Sequence, residues 1–233
     1  FIFEALGVDS SYIMHLAVGT SFSIIIPTSF VSVYTHNKYK AVDPSIIKSY
    51  AIFVIIGVIT GTTFAAFLKT KALVLFFAII VYLLGTYLIY LKEKAEDINT
   101  NFSLIPRIVF GFISGFISAP MGIGGAVMNV PILKYFGYPI NRAIGSAAAI
   151  GFVIALFGAI GFLVSGTFVE AHLPLSVGFI NIPAFLIFVP ITTVMAKVGA
   201  NTVHKINKKK VTKLFGIFLY IVGSVFLYRY FNI

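Results

Sequence analysis

Uncharged apolar runs about 20 residues long fill most of this 233-residue chain, and they limit its fold more than any other feature. A bilayer core offers no water to a bare N–H or C=O. Such runs therefore cross it as helices whose backbone groups are bonded internally. Six runs are continuous, at residues 12–34, 49–68, 72–91, 140–166, 175–195 and 214–232. The chain is 59% hydrophobic with a mean hydropathy of +1.03, more apolar surface than a soluble domain of this size can hide. The expectation is an all-α polytopic protein, passing several times through the plasma or inner membrane.

A seventh apolar segment, about 106–137, is broken at its centre by "SAPMGIGGAVMNVP", Ser118–Pro131. Its expected arms, Arg107–Ala119 and Ala126–Phe136, are about a dozen residues each. At 1.5 Å per residue each covers about 18 Å, short of a ~30 Å core. Loop charges decide between a kinked span and a re-entrant hairpin, because Lys and Arg collect on the cytoplasmic side. The loop after 175–195 carries Lys197, Lys205, Lys208, Lys209, Lys210 and Lys213 and is placed inside. A full span then leaves ten Lys and Arg inside against seven outside. A hairpin returning to its own side leaves fourteen against three. The hairpin is the better reading.

The two halves of the chain resemble each other. "AVGTS" (Ala17–Ser21) and "AIGSA" (Ala143–Ala147) each open a span, and "FIFEALG" (Phe1–Gly7) lines up with "PILKYFG" (Pro131–Gly137). Gly61 and Gly85 are 24 apart, as are Gly199 and Gly223, and Thr86 and Ser224 follow. Residues 1–98 are expected to form one transporter repeat and 99–233 a second, inverted one, together a single membrane domain. Each repeat then has three transmembrane helices plus a glycine-tipped hairpin, the first hairpin being absent from the sequence in hand. Inverted repeats hold substrate near the midplane where they meet. By this alignment the counterpart of Pro106–Val130 is expected to precede Phe1 in the natural protein, in about 30 residues ending in a second glycine tip.

In "PMGIGGA" Pro120 ends the first arm, and the second arm begins near Ala126 with free amides and a positive dipole end aimed at the tip. Gly122, Ile123, Gly124, Gly125 and Ala126 are therefore candidate anion contacts. Thr20, Ser21 and Ser146 sit at matching places near helix starts, where their hydroxyls are able to donate to an oxyanion or to bond back within their own helices. Asn129, one turn into the second arm, faces either the cavity or the packing seam. Arg142 either steers anions into an inner vestibule or is simply an inside anchor, the reading preferred here. His15 reads as an interfacial histidine, and Asn181, Pro183 and Pro190 as kinks in the fifth continuous run.

All seven acids (Glu4, Asp9, Asp43, Glu93, Glu96, Asp97, Glu170) lie at span ends or in loops. That disfavours a carboxylate-coupled cation transporter and leaves no paired carboxylates or Ser-His-Asp set for an embedded enzyme. Without cysteine there is no disulfide or thiolate metal site. No metal or cofactor is expected. The net charge of +10 is read as topology and lipid matching, not nucleic-acid binding.

The stretch "GFISGFISAPMGIGGAVMNVPILKYFGYPINRAIGSAAAIGF", Gly111–Phe152, resembles the signature of the TauE/SafE family of sulfite exporters. "LGVDSSYIMHLAVGTS", Leu6–Ser21, resembles the first-repeat equivalent. The resemblance implies export or exchange of sulfite, sulfoacetate or a related sulfur-containing anion across the cytoplasmic membrane. Two departures stand out: Ala126 replaces a common third glycine, and Ala147 stands where Ser or Thr is usual. An anion channel and a non-transporting scaffold or sensor subunit are the alternatives. A homodimer is compatible with either.

Overall fold

The structure, a computed structural model, describes residue 3 and residues 7–90, 102–170, 173–203 and 208–232. Among them are eight helices: α1 (Ile13–Lys38), α2 (Pro44–Phe67), α3 (Thr70–Tyr90), α4 (Leu104–Met121), α5 (Ala126–Tyr135), α6 (Ile140–Thr167), α7 (Ile182–Val203) and α8 (Lys208–Asn232). A two-residue strand pair, β1 (Ser176–Val177) and β2 (Ile180–Asn181), precedes α7. All helices but α5 contain stretches long and apolar enough to cross a membrane. The expected boundary at 98/99 lies outside the described residues, as do Lys92, Lys94 and Lys205.

Local chemistry moves several boundaries away from the hydropathy reading. α2 begins at Pro44, five residues before the apolar run, because Asp43 caps it: its carboxylate accepts from Ser45 N at 3.0 Å and Pro44 needs no acceptor there. α7 begins at Ile182, not 175. The run "LPLSVGFINIP" is apolar, but Leu175 and Gly178 both have positive φ and the chain folds into β1–β2. Asn181 therefore stands before α7, its Oδ1 accepting from Ala184 N at 3.0 Å, and does not kink a helix. The first hairpin arm has 18 residues instead of about a dozen. At about 27 Å it nearly matches the hydrocarbon core, while the 10-residue α5 covers about 15 Å.

The core lies where α1, α2 and α6 cross, and includes Val18, Phe22, Tyr50, Val54, Ile150 and Ile154. α1 packs against α6 and α7, α2 against α4 and α6, and α3 against α8. Helix association in lipid depends on close packing, so small residues mark the seams. A Cβ on Gly57 would meet the Phe112 carbonyl of α4, and one on Gly115 the Val54 carbonyl of α2. The α3–α8 seam carries reciprocal hydrogen bonds: Tyr82 Oη with Ser224 Oγ (2.8 Å) and Tyr220 Oη with Thr86 Oγ1 (2.6 Å).

The matched glycines Gly61 and Gly199 have different surroundings. A Cβ at Gly61 would lie 2.6 Å from the Phe116 carbonyl and 2.8 Å from Ala119 Cβ, whereas one at Gly199 meets nothing within 4 Å. Gly61→Leu is thus expected to cost about 1–3 kcal/mol by forcing α4 away. Gly199→Leu in this chain is expected to stay within about 0.5 kcal/mol. Equilibrium unfolding in detergent measures both.

Candidate functional site

The break between α4 and α5 is built by two left-handed glycines. Gly122 ends α4 at φ 65° and Gly125 precedes α5 at φ 69°, a region that strains residues with a Cβ. Pro120 lies inside the last turn of α4 and contributes no N–H. Gly125 N donates to Ile123 O at 2.8 Å, closing the turn, and Met128 N and Asn129 N both donate to Gly125 O. Among the described residues the amides of Ala126 and Val127 donate to no backbone carbonyl, as expected of a helix's first turn.

The tip is held in the middle of the bundle. A Cβ on Gly124 would lie 3.0 Å from Ile25 Cγ2 of α1, and the same virtual atom is 3.8 Å from the Gly151 carbonyl of α6. Both residues sit near the midpoints of their helices. Ser21 Oγ donates to the freed Gly122 carbonyl at 2.8 Å, and Ile154 packs against Gly125. Behind the tip, Asn129 is fully buried and its carboxamide is bonded through both its nitrogen and its oxygen. Nδ2 donates to Gly125 O at 2.8 Å, and Oδ1 accepts from Tyr50 Oη and Ser114 Oγ, each at 3.0 Å. Toward solvent or lipid the tip is open: Ile123 and Gly124 are half-buried and Ala126 is exposed.

The remaining candidates lie elsewhere. Thr20 is buried, donates to Leu16 O at 2.6 Å and accepts Asn181 N at 2.9 Å, tying α1 to the turn before α7. Ser146 is buried and accepts Asp43 N at 3.0 Å, tying α6 to the turn before α2. Arg142 is mostly exposed, 3.9 Å from the Asp43 carboxylate. The structure thus brings Ser21 together with Gly122–Ala126, puts Asn129 directly behind them, and leaves Thr20, Ser146 and Arg142 at two interhelical turns. His15 is buried, not interfacial: Nε2 lies 3.1 Å from Ala65 O, Nδ1 has no partner among the described residues, and the ring lies beside Tyr12 and Phe179. Tyr138, in the turn after α5, is pushed above the ordinary phenol range by burial first and by the Asp43 carboxylate second, with Arg107 opposing.

Tyr50 and Ser114 are the functional side chains that sequence reading missed. The available signal was Asn129 itself, since a carboxamide at membrane depth demands buried partners. Nothing in the sequence said which residues supplied them.

A family model described as Sulfite exporter TauE/SafE matches residues 3–226. The chain belongs to the TauE/SafE family. A probable membrane transporter protein of Haemophilus influenzae is 28% identical over 96% of this chain and 84% of its own length. One of Methanocaldococcus jannaschii is 26% identical over 97% and 84%, and one of Bacillus subtilis is 27% identical over 92% and 81%. No solved structure matches. This TauE/SafE chain is an all-α, multi-pass protein of the cell membrane and a membrane transporter.

In this TauE/SafE chain, Asn129→Leu is expected to leave the buried hydroxyls of Tyr50 and Ser114 without their acceptor, costing about 1–3 kcal/mol. Tyr50→Phe removes one donor and is expected to cost about 1 kcal/mol. Denaturant unfolding of both variants in the same detergent checks the ranking.

Proposed function

We propose that this protein exports or exchanges a small sulfur-containing oxyanion, sulfite or an organosulfonate, bound at the α4–α5 tip. The observation that carries this reading is the position of Gly124 between the midpoints of α1 and α6, with the open first turn of α5 beside it. A helix start carries roughly half a positive charge and unpaired N–H donors, so it suits an anion without the desolvation cost of a fixed cation. No acid among the described residues lies in the tip. The family description supplies the substrate class.

In this proposal the amides of Ala126 and Val127 contact the anion. Ser21 and Asn129 hold the two glycine carbonyls that shape the turn. Thr20 and Ser146 anchor the turns leading into α7 and α2, and Arg142 with Asp43 marks the inner mouth. These pairings support an inverted-repeat origin, because matching hydroxyls make matching bonds. Val8 N donates to Phe3 O just as Tyr138 N donates to Leu133 O, and Gly7 and Gly137 between them both have positive φ. The open face at Gly199 is where a second hairpin arm, matching α4 on Gly61, would seat. Two facing tips would then enclose the anion.

An inside-negative potential favours anion exit by about 2.3 kcal/mol per charge per 100 mV, so export needs no coupling ion. Liposomes loaded with sulfite and given a potential without a pH gradient are expected to release it with saturable kinetics. Gly125→Ala, strained at φ 69° and pressed on Ile154, is expected to lower that flux about tenfold. Flux without saturation would favour a channel. Flux that requires a proton gradient would reject the uncoupled mechanism. A folded protein with no flux of sulfite, thiosulfate or sulfoacetate would favour the scaffold reading.

A further inference from the structure

Beside the hairpin, on the face away from the tip contacts, a groove of about 350 Å³ opens between α3, α4 and α5. Its walls are apolar and include Tyr87, Phe110, Ile113, Met128, Pro131 and Phe136. They come from the end of α3, the middle of α4, and α5 with the residue that follows it, so the groove runs along the hairpin to its open end. The loop charges put that end in the cytoplasmic leaflet. Two cations stand there. Arg107 is one turn before Phe110 on the same stripe of α4, and Lys134 is on the last turn of α5. The Arg107 guanidinium rests 5.4 Å from the Phe102 ring centre, and the Phe102 ring packs at a tilt against Phe136, centres 4.4 Å apart, which joins the cation to the groove wall. Arg107 Nε is buried and has no hydrogen-bond partner among the described residues. The Asp43 carboxylate, which with Arg107 acts on Tyr138, is engaged by Ser45 and lies beside Arg142.

We propose that this groove holds an acyl chain of an anionic phospholipid of the cytoplasmic leaflet, with its phosphate on Arg107 and Lys134 alongside. A basic group at the mouth of an interhelical apolar groove on the cytoplasmic side has the chemistry that retains such a lipid. A zwitterionic lipid carries the same phosphate but also a headgroup cation, which Arg107 and Lys134 repel, so a lipid of net negative charge is favoured at this mouth. The lipid would brace the outer side of both hairpin arms, opposite the α2 and α6 contacts that hold their inner side. This site is independent of what the tip transports.

Native mass spectrometry of the delipidated protein tests this, with phosphatidylglycerol and phosphatidylcholine of identical acyl chains added back. Phosphatidylglycerol is expected to bind at about fivefold lower concentration than phosphatidylcholine. Arg107→Gln is expected to erase that difference without abolishing binding. Ile113→Trp, which fills the groove and keeps the cation, is expected to weaken both lipids. Equal binding of the two lipids to the unaltered protein overturns the proposal, and so does an undiminished preference in Arg107→Gln. Should Arg107→Gln fail to fold, undiminished phosphatidylglycerol binding by Ile113→Trp overturns it.

Discussion

A helix broken inside a bilayer exposes carbonyls and amides that lipid cannot satisfy, and every other feature of this protein is arranged around that constraint. At the α4–α5 break side chains add to the backbone bonds that answer the carbonyls: Ser21 reaches Gly122, and Asn129 reaches Gly125 alongside the α5 amides. Each of those side chains is held in turn. Ser21 is fixed by α1 lying against α6, and Asn129 by Tyr50 and Ser114 across the α2–α4 seam. The seam exists because Gly57, Gly61 and Gly115 let two backbones touch. What the fold leaves unanswered is the pair of amides at the start of α5, and in our reading this asymmetry is the binding chemistry.

The position of the break was legible because three glycines and two prolines have few uses in a membrane helix. The roles of the neighbouring hydroxyls were not. Thr20, Ser21 and Ser146 look alike in sequence, yet Thr20 and Ser146 fasten turns and Ser21 alone reaches the tip. The difference depends on where loops more than a hundred residues away place Asn181, Asp43 and Gly122. Hydropathy also misjudged α7, because it weighs side chains and does not register the β1–β2 turn that takes the backbone out of a helix. Conversely, Asp43-Pro44-Ser45 is a readable cap, and hydropathy passed over it because Lys48 lies in the first turns.

In the inverted-repeat reading proposed above, several contacts form pairs between similar residues of the two halves. The Thr20–Asn181 and Ser146–Asp43 bonds form one such pair, and the crossed tyrosine–hydroxyl bonds of α3 and α8 form another. Gly124 lies between Ile25 and Gly151, which the alignment of "AVGTS" with "AIGSA" places at matching distances along α1 and α6. In our proposal that places the tip near the axis relating the two halves. For an inverted-repeat transporter that axis is where substrate belongs.

The central claim is that the first turn of α5 takes the anion. The most direct measurement is a sulfite titration of the amide resonances of selectively labelled protein, with chloride as the control. The account predicts saturable shifts at Gly124, Ala126 and Val127 and none at Thr20 or Ser146. Saturable shifts confined to Arg142, Ser146 and Asp43, with the tip unmoved, would contradict it.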